Sequence, residues 1–401
     1  MTHTVTVSTG STLRSSDARY EKVRRFLKIV LESPALRVFV VTRFGLMLCM
    51  FLSMAALPMV SNEPWRGAPD NLVLDGWARW DSGWYMHIAD DGYNNRPNEA
   101  GQRDTAFFPL YPLLVRAASP LVGGALHAGI LVSNIASALG FVFLFGLVEQ
   151  KVSRDVAWRA TALMAVFPFG FFLSSIYTES VFFLGTVGAF YWAERRRWWL
   201  VALFGIAVGA TKTVGVFLCV PLAALYMQQR DWSFRRLDRS APAVAAPFLG
   251  FLGFVVFLFV KFSEPLAFAT AQDAEGWSVH ASSAARLVSD LRALLSPHVV
   301  LAGDFIVTDV LCIASILWAL PLTMGTWRAL GLPYAIWTFI VTLSALGSWM
   351  AFPRFCTTMF PLFITMAKWL RRDGAFLSVG FVWTLLLALL SILYAHFFWV
   401  A

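Results

Sequence analysis

Long apolar runs recur along the whole chain, and short basic clusters separate them. About 20 predominantly apolar residues are needed to cross a bilayer as a helix, and many of the runs approach that length. With 401 residues, 58% hydrophobic and only 14% charged, the chain is too poor in charge for a soluble domain of this size. Its mean hydropathy is +0.65. No alternation of polar and apolar residues is present, which argues against a membrane barrel. The expectation is an all-α polytopic membrane protein with about eleven transmembrane helices.

Expected spans lie near 38–60, 124–148, 160–176, 181–194, 198–210, 214–228, 242–261, 304–323, 333–350, 357–369 and 375–398. Those at 160–176, 181–194, 198–210 and 357–369 are short. Residues 1–20 are Ser/Thr-rich and polar and read as a disordered cytoplasmic tail with no cleavable signal. Residues 21–401 read as one membrane domain without an internal repeat. Long loops at about 61–123 and 262–299 fall on the outer face. Of the 32 lysines and arginines, 21 fall in segments assigned to the cytoplasm and 10 in outer segments, with Arg43 inside the first span. That bias places the N-terminus inside. The net charge of +8 is therefore a topological signal and does not call for nucleic acid. Cys49, Cys219, Cys312 and Cys356 are scattered, so neither a disulfide framework nor a zinc site is expected.

The first outer loop carries Trp77–Tyr93, WARWDSGWYMHIADDGY, followed by AFFPLYP at 106–112. Taken as a helix from Trp77 at about 100° per residue, Trp80, Trp84, Tyr85 and Ile88 share an arc with Asp81. A carboxylate among aromatic rings costs free energy unless it is paired or used. Asp90 points away, and Asp91 returns to the Asp81 side before Gly92. The plainer alternative is an interfacial amphipathic helix anchored by tryptophan, with Asp81 as a cap.

On this topology the other unusual polar residues also gather at the outer face. They are Glu179 in YTES, Lys212 in TKTVG, Gln272, Asp273 and His280 in the second long loop, and Arg354 in AFPRF. Ionisable residues at membrane depth are expensive and are candidates for function. Each also has a structural alternative: Glu179 as a helix cap, Lys212 snorkelling, Arg354 paired to a carboxylate, His280 a plain loop residue. Cations at headgroup depth can hold a lipid phosphate. A carboxylate can take the proton from an acceptor hydroxyl. Trp80, Trp84 and Tyr85 can stack on a sugar. Those are the needs of a transferase that uses a polyprenyl-phosphate sugar. A transporter or lipid flippase also wants buried charge, but it predicts repeat symmetry and helices broken at mid-membrane. A non-catalytic scaffold subunit is a further alternative, and it would tolerate loss of Asp81.

The motifs together resemble the PIG-V family of mannosyltransferases. RWDSGWYMHIADDGY and DTAFFPLYP are similar to the family's first luminal loop. FPFGFFLSSIYTESVFF at 167–183, ATKTVGV at 210–216, SEPLAFATAQDAEGW at 263–277 and FPRFCTTMFPLF at 352–363 follow in order. The resemblance implies a GT-C-type glycosyltransferase fold with a catalytic first outer loop. It also implies a polyprenyl-phosphate mannose donor, transfer with inversion and Asp81 as catalytic base. The family's second acidic residue, shortly before AFFP, falls on Asp104, with Glu99 as the other possibility. Glu179, Lys212, Gln272 and Arg354 lie in matching motifs. Asn94–Thr105 is longer and more polar than the eukaryotic pattern. The style of the sequence looks bacterial, which implies the bacterial inner membrane, a site facing the periplasm or exterior, and an envelope lipid, glycan or protein as acceptor. No cofactor or metal site is expected. Acceptor, linkage and any partner subunit stay open.

Overall fold

The computed structural model describes residues 32–58, 66–273, 307–347 and 351–400. Among them every regular element is helical. The helices are α1 Pro34–Ala56, α2 Leu72–Asp75, α3 Ser82–Asp91, α4 Leu110–Val122, α5 Ala125–Lys151, α6 Arg154–Ala165, α7 Glu179–Glu194 and α8 Trp198–Gly209. They continue with α9 Cys219–Gln228, α10 Ala246–Phe262, α11 Ala267–Thr270, α12 Val307–Leu330, α13 Leu332–Gly347, α14 Phe352–Cys356, α15 Phe360–Trp369 and α16 Asp373–Ala395. Short 3₁₀ turns at Thr213–Leu218 and Ala241–Ala245 extend α9 and α10 at their starts. Five stretches are long and apolar enough to cross a membrane: α1, α5, α10 with its preceding turn, α12 and α16. The protein is an all-α polytopic membrane protein.

Local chemistry fixes the helix starts. Ser33 caps α1, accepting the Leu36 N–H at 3.4 Å, with Pro34 at the first helical position, where its missing N–H costs nothing. Ser153 caps α6 in the same way through Val156 N–H. Residues 59–60, 304–306 and 348–350 of the expected spans lie outside the described residues. Within the described ones each expected span corresponds to a helix, with 304–323 running on to Leu330, except at 160–176. There α6 stops at Ala165, and residues 166–178 run without an α-helix before α7. Pro168 cannot continue a helix, and Gly170 lowers its propensity further.

Non-helical backbone is tolerated inside a membrane protein only where protein satisfies it. Arg43 of α1 does this, donating to Ala165 O at 2.9 Å and Gly170 O at 2.6 Å. Ser133 Oγ of α5 donates to Ser175 O at 2.7 Å, and Ser137 Oγ donates to Leu173 O. The arginine expected inside the first span thus supports a break in its neighbour. The break delivers Tyr177, Thr178 and Glu179 to one end of the bundle.

α8 and α10 cross at contact distance because each sets a glycine against the other's backbone. A Cβ at Gly209 would lie 1.8 Å from Pro247 O, and one at Gly250 would lie 2.0 Å from Ile206 O. Neither helix can yield without losing the other's packing. Gly209→Ala is expected to destabilise the protein by about 1–3 kcal/mol or more. It should lower the detergent thermal midpoint well below that of a Gly253→Ala control, whose added Cβ meets nothing within 4 Å. Equal midpoints would refute the close crossing.

Ion pairs lie at both ends of α7, which are roughly 24 Å apart for sixteen residues at 1.5 Å each. At its carboxyl end Lys151 pairs with Glu194 at 2.6 Å, and Tyr334 OH donates to Glu194 at 2.8 Å. Nearby, Arg159 pairs with Asp373 at 2.5 Å. At its amino end lies the cluster described next.

Candidate active site

Trp77–Tyr93 is not one helix. Trp80 has φ +53°, a left-handed conformation that stops any helix from running through it. The helix begins only at Ser82, so the arc drawn from Trp77 fails for Trp77 and Trp80. It places Asp81 at the helix entrance instead. The turn that carries Asp81 is pinned by Arg79 N–H to Ser82 Oγ at 3.2 Å, Tyr177 OH to Arg79 O at 3.1 Å and Ile176 N–H to Trp77 O at 3.2 Å.

Four charged groups meet there. Arg354, on the short α14 after Pro353, donates through Nη1 to Asp81 Oδ2 at 2.7 Å. Its Nε lies 3.3 Å from Glu179 Oε1. Glu179 is the first residue of α7, and the same oxygen accepts Lys212 Nζ at 2.6 Å. Lys212 sits in extended backbone between α8 and the following 3₁₀ turn. Four remote segments therefore supply alternating charges in the order Asp81, Arg354, Glu179, Lys212, and the set is neutral overall.

Aromatic rings enclose it. Lys212 Nζ lies 4.8 Å from the Phe355 ring centre and 5.7 Å from that of Phe182. Arg354 lies 5.2 Å from Tyr177 and 5.9 Å from Phe172. Desolvated pairs are sensitive to loss of one partner, which typically costs about 3–5 kcal/mol. Access is unequal. Glu179 is 1% exposed, whereas Asp81, Lys212 and Arg354 retain 13%, 14% and 15% of their side-chain surface. A ligand arriving from outside meets one carboxylate and two cations, with Glu179 as their counter-charge beneath.

The remaining candidates separate into three groups. Tyr85 lies at the cluster's edge, its OH 3.4 Å from Thr178 Oγ1 and its ring against Phe107 and Tyr111. Trp80 packs edge-on against Phe397 and Trp399, and Trp84 stacks on Phe107, so one face of that indole is already covered. Asp91 is exposed and bonds His87 Nδ1 at 2.9 Å, so it does not join Asp81. Asp104 is fully buried, but it accepts Asn94 N–H at 2.6 Å and Asn95 N–H at 3.0 Å and so fastens its own loop. Gln272 is exposed on a 3₁₀ turn beside Asp104–Ala106. His280 lies outside the described residues. Among the described residues no three His, Cys, Asp or Glu side chains gather as a ligand set for a metal. Sequence reasoning missed Arg79 and Tyr177. A lone arginine in a tryptophan-rich loop was the available signal for the first.

Residues 35–272 match the family model described as mannosyltransferase (PIG-V). The human GPI alpha-1,6-mannosyltransferase 2 is 30% identical over 161 residues, covering 36% of this chain and 31% of that protein. The rat protein of the same name is 31% identical over 159 residues, covering 36% and 31%. A GPI mannosyltransferase 2 of Drosophila pseudoobscura pseudoobscura is 29% identical over 133 residues, covering 30% and 27%. The matches thus span less than a third of each curated relative. Among solved structures, an oligosaccharyltransferase of Archaeoglobus fulgidus aligns over 90% of this chain and 52% of its own, with a TM-score of 0.46 and 16% identity. The family match covers more than half of the chain and takes in Asp81, Glu179 and Lys212, three of the four charges that meet at the amino end of α7. The chain belongs to the PIG-V family of mannosyltransferases.

Proposed function

We propose that the protein transfers mannose from a polyprenyl-phosphate donor to a hydroxyl acceptor, with Asp81 as general base. The observation that supports this reading most is the four-charge cluster, open at Asp81, Lys212 and Arg354 and closed at Glu179. A mannosyl phosphodiester carries one negative charge. Lys212 and Arg354 offer it cationic edges while Glu179 holds both in place from behind. Asp81 takes the acceptor O–H proton, and the acceptor oxygen forms its bond to mannose C1. The C1–O bond to phosphate breaks with its electron pair moving to the phosphate, which leaves as a dianion. Attack opposite the phosphate gives inversion. The donor enters laterally between helices, with its lipid tail in the bilayer. The excess of cationic residues at the other ends of the helices supports a site facing the periplasm or exterior of a bacterial inner membrane. An envelope lipid, glycan or protein is the acceptor.

The test is transfer of labelled mannose from polyprenyl-phosphate mannose by the reconstituted protein, with envelope extract as acceptor source. Transfer to the extract supports the reading. Absence of both transfer and donor consumption would remove it. Within the same assay Lys212→Ala should raise the apparent donor KM by roughly 10–100-fold, the loss of one charge-assisted hydrogen bond. An unchanged KM would take Lys212 out of the phosphate site.

A further inference from the structure

The carboxylate at the centre of this site stands at the entrance of α3, whose Trp84 and Tyr85 N–H groups donate to Asp81 O at 3.1 and 3.3 Å, and its position depends on the turn that leads into that helix. It follows a left-handed residue at the end of a six-residue turn that begins after α2. Besides the bonds to Ser82, Ile176 and Tyr177, the turn is held by the side chain of Arg79, which is fully buried and has each of its nitrogens directed at a partner. Nε donates to Ala395 O at 2.9 Å, the last carbonyl of α16. Nη1 donates to Asp75 O and Ala78 O at 2.5 and 2.8 Å. Nη2 donates to Asp75 Oδ2 at 2.8 Å. The guanidinium lies 4.2 Å from the Phe397 ring centre.

Both anchors are themselves fixed. Asp75 also accepts Arg66 at 2.7 Å and Ala68 N–H at 3.0 Å. Burial alone would raise its carboxyl, and these hydrogen bonds, with that from Arg79, outweigh burial and leave it below the ordinary carboxylate range. The segment after α16 is tied by Thr308 Oγ1 donating to Trp399 O at 3.1 Å. The fit is close, since a Cβ at Gly76 would lie 2.9 Å from Met54 and 3.5 Å from Ala395. A guanidinium suits this place because its planar fork can cap open carbonyls at a helix carboxyl end and meet a carboxylate together.

We propose that Arg79 is a positioning residue for Asp81, hanging the turn on the carboxyl end of the last helix so that the carboxylate faces Arg354. The site then depends on α16 and residues 396–400, which lie beyond the matched 35–272. The proposal rests on the reading of Asp81 as the base. Misplacement of a reacting group by 1 Å can cost about 10²-fold in rate.

Arg79→Ala would leave buried Asp75 with Arg66 as its remaining cation and open a cavity at the end of α16, which could prevent folding, so the informative variant is Asp75→Asn with Arg79→Gln, which removes both buried charges together. In nanodiscs this double variant should lose amide-exchange protection by more than about tenfold over residues 77–85, with Thr213–Leu218 unchanged. Its kcat should fall about 10–100-fold, with donor KM within about twofold. Arg79→Lys, which keeps the charge without the fork, should move kcat the same way. Unchanged protection over 77–85 would overturn the proposal whatever the transferase assay reads. Lost protection with wild-type kcat would overturn it as well. If wild type transfers no mannose, the reading of Asp81 as base fails separately, while the exchange arm still decides whether Arg79 holds the turn.

Discussion

Asp81→Asn should lower kcat by about 10²–10⁴-fold without weakening donor binding. A positioned general base contributes on that order, and asparagine keeps the shape and one acceptor for Arg354 while losing the ability to take a proton. The charge balance makes the outcome distinctive. The four groups sum to zero, so removing the Asp81 charge leaves the cluster with one net positive charge, and Arg354 becomes more available to an anion. Apparent donor affinity should hold or improve as turnover collapses. A loss confined to kcat is what removal of a transition-state interaction produces. If Asp81 served only as counter-ion to Arg354, the variant would bind the donor as well or better, lose some stability and retain turnover. Single-turnover mannose transfer combined with direct donor binding separates the two. Near-normal turnover would move the base role elsewhere, and neither Asp91, exposed and bonded to His87, nor Asp104, engaged by two backbone amides, is placed to assume it.

The helical membrane architecture was legible because bilayer thickness imposes a length on apolar runs. Among the described residues ten of the eleven expected spans correspond to helices, and five stretches are long and apolar enough to cross a membrane. The exception, 160–176, shows the limit of the length rule. Its residues are apolar enough to span, but Pro168 and Gly170 stop the helix. The partners that make the break tolerable, Arg43 and two serines of α5, are remote in sequence. The cluster itself was half legible. Charges in apolar surroundings flagged Asp81, Glu179, Lys212 and Arg354 separately. Their pairing was not readable, and the two cations expected to wait for a phosphate are already engaged with carboxylates. Helical periodicity misled at Trp77–Trp80, because a left-handed residue leaves no compositional trace when it is not glycine. Asp91 looked co-facial with Asp81 on that assumed helix, whereas in the actual one it reaches His87 one turn back and faces solvent. Asp104 matched an acidic position of the family but proved to be committed to its own loop.

Arg354 should be the least replaceable member of the cluster, because it alone touches both carboxylates. Arg354→Ala leaves Asp81 and Glu179 facing one ammonium in a largely desolvated site, and destabilisation of about 3–5 kcal/mol is expected. Thermal unfolding in detergent should show this as a large fall in midpoint. Adding Glu179→Gln restores the balance, with Asp81 against Lys212, and should recover much of the midpoint. It should not recover transfer, since no guanidinium then faces Asp81 or the donor phosphate. Arg354→Lys completes the series. A lysine keeps the charge but is a point donor on a flexible stem, and it cannot address Asp81 and Glu179 from fixed directions. Stability should stay close to wild type while kcat falls about 10–100-fold, which places the planar fork rather than the charge at the origin of rate. A lysine variant with full activity would show that only the positive charge matters. An Arg354→Ala/Glu179→Gln variant no more stable than Arg354→Ala would show that charge imbalance is not what destabilises the single variant.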